Sequence, residues 1–232
     1  MSAELLVVRC GLVPYEEAVV AQRWLRGARE DGAVPDVLLL LEHPPVYTRG
    51  RRSDDEELPM AREWYEMQGI DVRDTDRGGR VTYHGPGQLV AYPIVSLRPY
   101  ADDVHEYVRR LERVAIGALG ALGVVAGTRE ELTGVWVGER KIGSIGVHVS
   151  RGITTHGLAI NVNNDLQPFE WIVPCGIEGC RVTSLSRELG GEQDLGGVAD
   201  TVVAQFGEVY ERTPASATPA ELGLDNARLG VA

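Results

Sequence analysis

The segment from residue 135 to residue 162 constrains the fold of this chain more than any other part of the sequence. Hydrophobic and polar residues alternate along it, and turn residues interrupt the alternation at Gly138 and at Ser150-Arg151-Gly152. Alternation with a period of two is the pattern of a strand with one buried face, and glycine lets the backbone turn between strands. The segment therefore predicts an antiparallel meander of three short strands.

Helices are predicted on both sides of a buried strand earlier in the chain. Pro14 begins a helix that Gly32 ends, and Asp102-Asp103 cap a long helix that stops at Gly123. The continuous aliphatic run Val37 to Leu41 predicts a buried central strand. Helices mixed with antiparallel strands, without a regular strand–helix–strand rhythm, predict an α+β fold.

Length and composition indicate one ordinary globular domain. The chain has 232 residues, enough for a sizeable core, and we predict a single domain over residues 1–213. The Pro, Ala, Ser and Gly content beyond it predicts a poorly ordered tail at 214–232. A net charge of −11 argues against nucleic-acid binding, and no apolar run is long enough to span a membrane. Three cysteines without an export signal predict free thiols and a cytoplasmic protein.

Lys141 is the only lysine in the chain, whereas 22 residues are arginine. A bias towards arginine codons removes lysines that arginine can replace. The remaining lysine is therefore expected to have a role that arginine cannot perform. Arginine stays charged at any working pH, whereas a desolvated lysine can lose its proton and act as a base. Lys141 is therefore a candidate catalytic residue. The alternative is an exposed lysine left by chance.

Cys175 lies between Pro174 and Gly176, where the sequence predicts a tight turn. A nucleophilic cysteine needs a thiolate, with a pKa below the free value of about 8.5, and a nearby cation or base lowers that pKa. Lys141 is the candidate partner, and a buried inert cysteine is the alternative. Cys180 forms a C-x4-C pair with Cys175, but no second pair follows, so we predict no metal site.

The most glycine-dense stretch runs from Arg77 to Gln88. It lacks the G-x4-G-K-[ST] pattern of a phosphate-binding loop, and no G-x-G-x-x-G follows a strand in the chain. Missing side chains can instead form the wall of a narrow tunnel for an extended apolar ligand. Tyr83 and His84 would be the polar groups of that wall, with His84 as a purely structural turn residue the alternative.

Six stretches together resemble the lipoyl(octanoyl) transferase family, which is related to lipoate- and biotin-protein ligases. The resemblance implies an α+β fold of the class II synthetase and biotin-protein ligase type, with a mixed, largely antiparallel sheet and flanking helices. The stretches are LEHPPVYTRG (41–50), RGGRVTYHGPGQLVAYP (77–93), GVWV (134–137), KIGSIG (141–146), HGLAIN (156–161) and PCGI (174–177).

The resemblance also implies an activity. Such enzymes take an octanoyl or lipoyl group from acyl carrier protein onto a cysteine, which matches Cys175. They pass it to a lysine on the lipoyl domains of 2-oxoacid dehydrogenase complexes and on the glycine cleavage H protein. Lys141 matches the activating lysine, and neither cofactor nor metal is implied. The implied substrate-binding residues are Arg77, Gly78, Gly79, Arg80, Val81, Thr82, Tyr83, His84, Ser144, Ile145, Gly146, Gly157, Leu158 and Ala159.

Two other functions remain open on the sequence. An ATP-dependent lipoate–protein ligase of similar fold would not require a cysteine at position 175. A non-catalytic acyl-binding module would tolerate serine there and would form no covalent adduct.

Docking of acidic carrier proteins on this acidic chain requires a local basic patch. The densest group of arginines is Arg49, Arg51, Arg52, Arg77 and Arg80. The alternative for some of them is pairing with the acidic run at 54–57, which would only order the loop.

Overall fold

The computed structural model describes residues 4–98, 103–176 and 179–224, and for Cys175 the backbone alone. The helices in these residues are α1 (Tyr15–Glu30), α2 (Arg62–Met67), α3 (Val104–Ala121), α4 (Leu185–Leu189) and α5 (Leu195–Tyr210). The strands are β1 (Glu4–Leu12), β2 (Asp36–Glu42), β3 (Val46–Arg49), β4 (Asp71–Asp74), β5 (Thr82–His84), β6 (Gln88–Ile94), β7 (Gly127–Arg129), β8 (Leu132–Val137), β9 (Arg140–Ser150), β10 (Ile153–Asn161), β11 (Arg181–Val182) and β12 (Thr213–Ser216).

A large mixed sheet dominates the described residues. Its strands follow the order β12-β1-β2-β6-β10-β9-β8-β7, and β11 pairs with β9 beside this path. β1 runs parallel to both of its neighbours, whereas the pairs from β2 onward to β7 are antiparallel. The predicted α+β fold with a largely antiparallel sheet is confirmed. The predicted meander is β8–β9–β10, although β9 and β10 are longer than expected, at 11 and 9 residues.

Helices cover both faces of this sheet. Along β2, Leu38 and Leu40 belong to the hydrophobic core beneath α3 and α5, while Leu39 and Leu41 belong to the core beneath α1. Successive side chains of a strand point to opposite faces, so a strand buried on both sides needs an unbroken aliphatic run. The predicted central strand is confirmed. Within the described ranges, no helix is long and apolar enough to cross a membrane.

A second sheet, of three strands in the order β4-β3-β5, packs beside the large one. Aromatic side chains fill its hydrophobic cluster, including Tyr47, Tyr65 and Tyr83. The Tyr47 hydroxyl donates to the carbonyl of Pro168 at 2.6 Å, and the Tyr65 hydroxyl donates to that of Trp171 at 3.1 Å. The small sheet therefore supports the segment that leads to Cys175.

The expected poorly ordered tail is wrong over its first residues. Residues 213–216 form β12, which pairs with the open edge of β1. Leu222 and Leu224 are buried against the core beneath α1, and the Trp24 indole donates to the Leu222 carbonyl at 3.1 Å. Composition did not predict this ordered segment, because pairing with a free strand edge and burial of two leucines are enough to order a few residues. Residues 225–232 lie outside the described part of the chain.

Candidate active site

A cavity of about 220 Å³ lies between the large sheet and the small one. Its volume falls just below the usual range of small-ligand pockets, roughly 300–1,000 Å³, and therefore suits a small ligand. Strands β6, β9 and β10 form one wall and β5 with the preceding loop forms another. The predicted site residues that line it are Arg77, Gly79, Arg80, Thr82, His84, Lys141, Ser144, Ile145, Gly146, Gly157, Leu158 and Ala159.

Three predicted substrate-binding residues do not line this cavity. Side chains alternate along β5, so Thr82 and His84 face the cavity while Tyr83 faces the small sheet's cluster. Val81 is buried in the same cluster. The Gly78 amide donates to the Val147 carbonyl at 2.8 Å, so Gly78 attaches the glycine-rich loop to β9. Direct substrate contact by these three residues stays a prediction.

Lys141 lies on β9 and only 3 % of it is exposed, so the alternative of an exposed lysine left by chance is wrong. β8 pairs with one edge of β9 at this point, and β11 takes the other edge, where β10 ends. The Lys141 Nζ atom lies 5.7 Å from the centre of the Trp136 ring. The chain's only lysine therefore belongs to the cavity wall and is held on both sides by strands.

The backbone of Cys175 lies in a short 3₁₀ turn, Pro174–Gly176, as the sequence predicted. The Val173 amide donates to the Glu57 carbonyl at 3.0 Å. A Cβ atom on Gly176 would come within 2.6 Å of the Arg80 Cδ atom and 3.1 Å of the Glu57 Oε1 atom. Arg80 lines the cavity, so the cysteine turn lies beside it. Contact between Cys175 and Lys141 stays a prediction.

Arg77 packs tightly against Gly146 of β9. Its buried guanidinium donates to the Thr48 carbonyl at 2.6 Å and to the Thr48 hydroxyl at 2.8 Å. A Cβ atom on Gly146 would lie 2.9 Å from the Arg77 Cδ atom and 3.0 Å from the Gly78 carbonyl oxygen. Glycine at 146 therefore leaves room for the Arg77 side chain, whereas the sequence predicted room for a ligand along the glycine-rich stretch from Arg77 to Gln88.

His84 has a fixed orientation in the wall. Its Nδ1 faces the Gln88 Oε1 atom at 2.7 Å, and the Gln88 amide donates to Asn161 Oδ1 at 2.9 Å. Because the Gln88 oxygen must accept, His84 Nδ1 carries the proton and Nε2 is left as an acceptor. Burial is the main reason why the pKa of His84 lies well below its usual value, and the nearby His43 lowers that pKa further. The imidazole is therefore neutral at physiological pH.

Sequence reasoning missed several lining residues, among them Tyr15, Tyr92 and His156. His156 had no chemical neighbour in the sequence, yet its Nε2 donates to the Asp76 carboxylate at 2.8 Å. That hydrogen bond is the main reason why the pKa of Asp76 falls below its usual range. The two residues are 80 positions apart, so no local pattern could have found the pair. His156 also has a φ of +57°, which is unusual outside glycine.

The predicted basic patch contains three kinds of arginine, the first being the buried Arg77, which is hydrogen-bonded to Thr48 and is not available for docking. Arg49 forms ion pairs with Asp55 and Asp74, and Arg80 pairs with Asp54 and the buried Glu57. The ordering role considered for some of these arginines therefore fits Arg49 and Arg80. The arginines at 51 and 52 are exposed, and the second lines the cavity.

Sequence comparison supplies the family. Residues 14–207 match the pattern of the family described as "Lipoyl protein ligase A/B catalytic domain". The chain is 50 % identical over 201 residues to a protein named octanoyltransferase from Rubrobacter xylanophilus, covering 86 % of this chain and 90 % of that one. It is 47 % identical to the octanoyltransferase of Solibacter usitatus, with coverage of 87 % and 90 %.

Solved structures agree on the fold. A lipoate-protein ligase A bound with ATP superposes with a TM-score of 0.74 at 18 % identity, over 100 % of both chains. The biotin protein ligase of Aquifex aeolicus gives a TM-score of 0.52 at 15 % identity, covering 90 % of this chain and 70 % of that one. The predicted biotin-ligase type of fold is confirmed. With the family pattern and the relatives above, the chain belongs to the lipoyl protein ligase A/B catalytic-domain family, in its octanoyltransferase group.

Proposed function

We propose that this acyltransferase moves an octanoyl or lipoyl group from acyl carrier protein to a lysine of lipoyl domains, through a thioester on Cys175. The acceptors are the lipoyl domains of 2-oxoacid dehydrogenase complexes and the glycine cleavage H protein. The observation that carries the proposal is a small, glycine-walled cavity with the chain's only lysine buried in its wall. The octanoyltransferase relatives support the same reaction class.

The acylation step transfers the acyl group to the enzyme. The Cys175 thiolate attacks the carbonyl carbon of the acyl thioester and a tetrahedral intermediate forms. The carrier protein's thiolate then leaves and takes the proton of Lys141, which leaves the lysine amine neutral. A thioester is already activated, so the step needs neither ATP nor a metal ion. The positive charge of Lys141 favours the Cys175 thiolate over the thiol.

The deacylation step passes the acyl group on. The acceptor lysine loses one proton to solvent to become an attacking amine, and the neutral Lys141 amine accepts the second proton as the nitrogen attacks the Cys175 thioester. The new amide bond forms as the Cys175 thiolate leaves. The Cys175 thiolate and the Lys141 ammonium are thereby restored, and the enzyme is regenerated.

The cavity wall suits the acyl chain. From Lys141 to Gly146, β9 advances about 16 Å at roughly 3.3 Å per residue, so an extended chain can lie along it. Gly146 and Gly157 face each other across the β9–β10 pair, where Gly146 leaves room for Arg77 and Gly157 leaves room for the Ala91 carbonyl. Burial raises the pKa of Tyr92 well above its usual value and lowers that of His84, so both rings are uncharged. Where the apolar chain contacts these two rings, it desolvates no charge.

The exposed arginines are the proposed docking site for acidic partners. Arg51 and Arg52 lie on the loop at the cavity, and the Arg52 amide donates to the Gly79 carbonyl at 3.1 Å. This bond fixes the loop to the glycine-rich segment of the wall. A carrier protein attracted to Arg51 and Arg52 would deliver its acyl group at the cavity.

An assay of donors separates this function from its rivals. Purified enzyme should octanoylate a lipoyl domain from octanoyl carrier protein without ATP, and free octanoate with ATP should give no product. The opposite donor dependence would indicate an ATP-dependent ligase. Binding of octanoate without transfer from either donor would indicate an acyl-binding module.

A further inference from the structure

Glu112 is a buried carboxylate that the reaction above does not use. It lies on the core-facing side of α3, beside Leu111 and Ala115, and only 1 % of it is exposed. Burying a carboxylate costs several kcal/mol unless it is paired and hydrogen-bonded. Its Oε1 atom accepts the Gly134 amide at 3.1 Å, and its Oε2 atom accepts from Arg109 at 2.7 Å. Glu112 therefore joins α3 to the backbone of β8 at Gly134.

Gly134 lies directly against the Lys141 side chain. A Cβ atom at position 134 would come within 2.8 Å of the Lys141 Cε atom and 3.3 Å of its Nζ atom. It would also lie 2.8 Å from the Gly143 carbonyl oxygen. Real Cβ atoms essentially never approach another heavy atom closer than 3.0 Å. The lysine side chain therefore occupies the space that any side chain at 134 would fill.

A β-bulge lies at the same place in the sheet. Val135 pairs with Gly143 and Trp136 pairs with Lys141, so Ile142 is an extra residue on β9. Bulges re-aim side chains and are frequent next to active sites. Ile142 is part of the core beneath α3 and α5, whereas Lys141 lines the cavity. The bulge and the bare backbone of Gly134 thus act on the same side chain.

We propose that Glu112 and Gly134 are positioning residues for Lys141: Glu112 fixes the Gly134 backbone, and the missing side chain of Gly134 sets where the lysine Nζ atom lies. This inference rests on the proposed function, because it assumes that Lys141 acts on Cys175. A buried charge that only stabilised the helix would not need to meet β8 at a glycine that lies against Lys141. A glycine needed only for its φ of +134° would not need to lie against the lysine.

The first test is Gly134→Ala, with the pH dependence of Cys175 alkylation as the readout. Iodoacetamide labelling is followed peptide by peptide after a protease that cleaves at Glu178, which separates Cys175 from Cys180, while Cys10 lies in a different peptide. An opposite charge within about 4–6 Å shifts a pKa by roughly 1–3 units. The added methyl group should displace the lysine, and the labelling midpoint should rise by about one pH unit or more. Gly138→Ala is the matched control, since Gly138 has a φ of +57° in the same hairpin but open space around it.

Repeating Gly134→Ala in a Lys141→Ala enzyme separates an effect on the position of Lys141 from a general disturbance of the structure. If Gly134 acts through Lys141, Gly134→Ala should leave the labelling midpoint unchanged in a Lys141→Ala enzyme, because the group it displaces is gone. Glu112→Leu removes the acceptor of the Gly134 amide without adding a group beside the lysine. It should also raise the midpoint, and it serves as the test if Gly134→Ala does not fold.

The outcomes distinguish this inference from the function on which it rests. A midpoint that Lys141→Ala leaves unchanged would overturn the role of Lys141 itself. A midpoint that moves with Lys141→Ala but not with folded Gly134→Ala or Glu112→Leu would overturn only the positioning role. If Gly134→Ala shifted the labelling midpoint equally in the unchanged enzyme and in the Lys141→Ala enzyme, only the positioning role would be overturned.

Discussion

Glu57 connects the cysteine turn to the glycine-rich wall, and replacing it by alanine tests that connection. Its carboxylate accepts the buried Val81 amide at 3.1 Å and pairs with Arg80. A Cβ atom on Gly176 would lie 3.1 Å from its Oε1 atom, so the carboxylate also packs against the turn. Glu56 is next to it in the same 3₁₀ turn but is exposed, which makes Glu56→Ala the matched control.

The loss of stability can be worked out from these contacts. Glu57→Ala leaves the buried Val81 amide without its acceptor, which costs about 1–3 kcal/mol. Arg80 is 39 % exposed and keeps Asp54 as a partner, so the broken ion pair adds little. At roughly 2–4 °C per kcal/mol for a domain of this size, Tm should fall by about 2–12 °C. Glu56→Ala should leave it within about 1–2 °C, at the ±0.5 kcal/mol typical of surface changes.

The same change should slow acyl transfer in enzyme that remains folded. A displacement of about 1 Å at a reacting group costs up to roughly a hundredfold in rate. Single-turnover acylation by octanoyl carrier protein at 20 °C below Tm measures this effect, and thermal unfolding by circular dichroism measures stability. If Glu57→Ala and Glu56→Ala gave the same Tm and the same rate, Glu57 would not hold the cysteine turn.

Three further changes test separate parts of the account. Lys141→Arg should slow deacylation at least about a hundredfold in a single-turnover assay, because a guanidinium cannot accept a proton, while Cys175 alkylation stays partly intact. A rate within a few-fold of the unchanged enzyme would leave Lys141 as a charge only. Charge reversal at Arg51 and Arg52 should slow acylation by carrier protein far more than by a small octanoyl thioester, and equal losses would contradict docking there. Burial lowers the pKa of His43 from 6.5 to about 4, so the unfolded chain binds a proton that the folded chain excludes as the pH falls below 6.5. In urea unfolding, this group should cost about 3 kcal/mol of stability between pH 6.5 and pH 4, and the same fall in His43→Gln would contradict its assignment.

Much of the fold followed from local patterns. The aliphatic run of β2 is that of a strand buried on both faces, and the alternation with its turn residues was enough to locate β8 to β10, although β10 is buried at every position. The short strands β11 and β12 carry no such pattern, because two to four residues pair only where a longer strand offers a free edge. The order of residues 214–224 was missed for the same reason.

The sequence predicted only part of the site, because some of its contacts form only when distant segments meet in the fold. Lys141 and the glycine-rich loop stand out by residue type alone, and both line the cavity. Glu112 looks like any charged helix residue until α3 packs against β8, and the Asp76–His156 pair forms only when distant strands meet. Charged groups that act through tertiary contacts are not marked by any characteristic residue spacing in the sequence.

The acyl-enzyme itself is the most direct test of the account. Purified enzyme is mixed with octanoyl carrier protein without acceptor, and its intact mass is measured before and after treatment with neutral hydroxylamine. Hydroxylamine cleaves a thioester but not an amide, so it distinguishes acylated cysteine from acylated Lys141. We predict the mass of one octanoyl group, removed by hydroxylamine, absent in Cys175→Ala and retained in Cys180→Ala. A hydroxylamine-resistant adduct, or one that survives Cys175→Ala, would contradict covalent catalysis at Cys175.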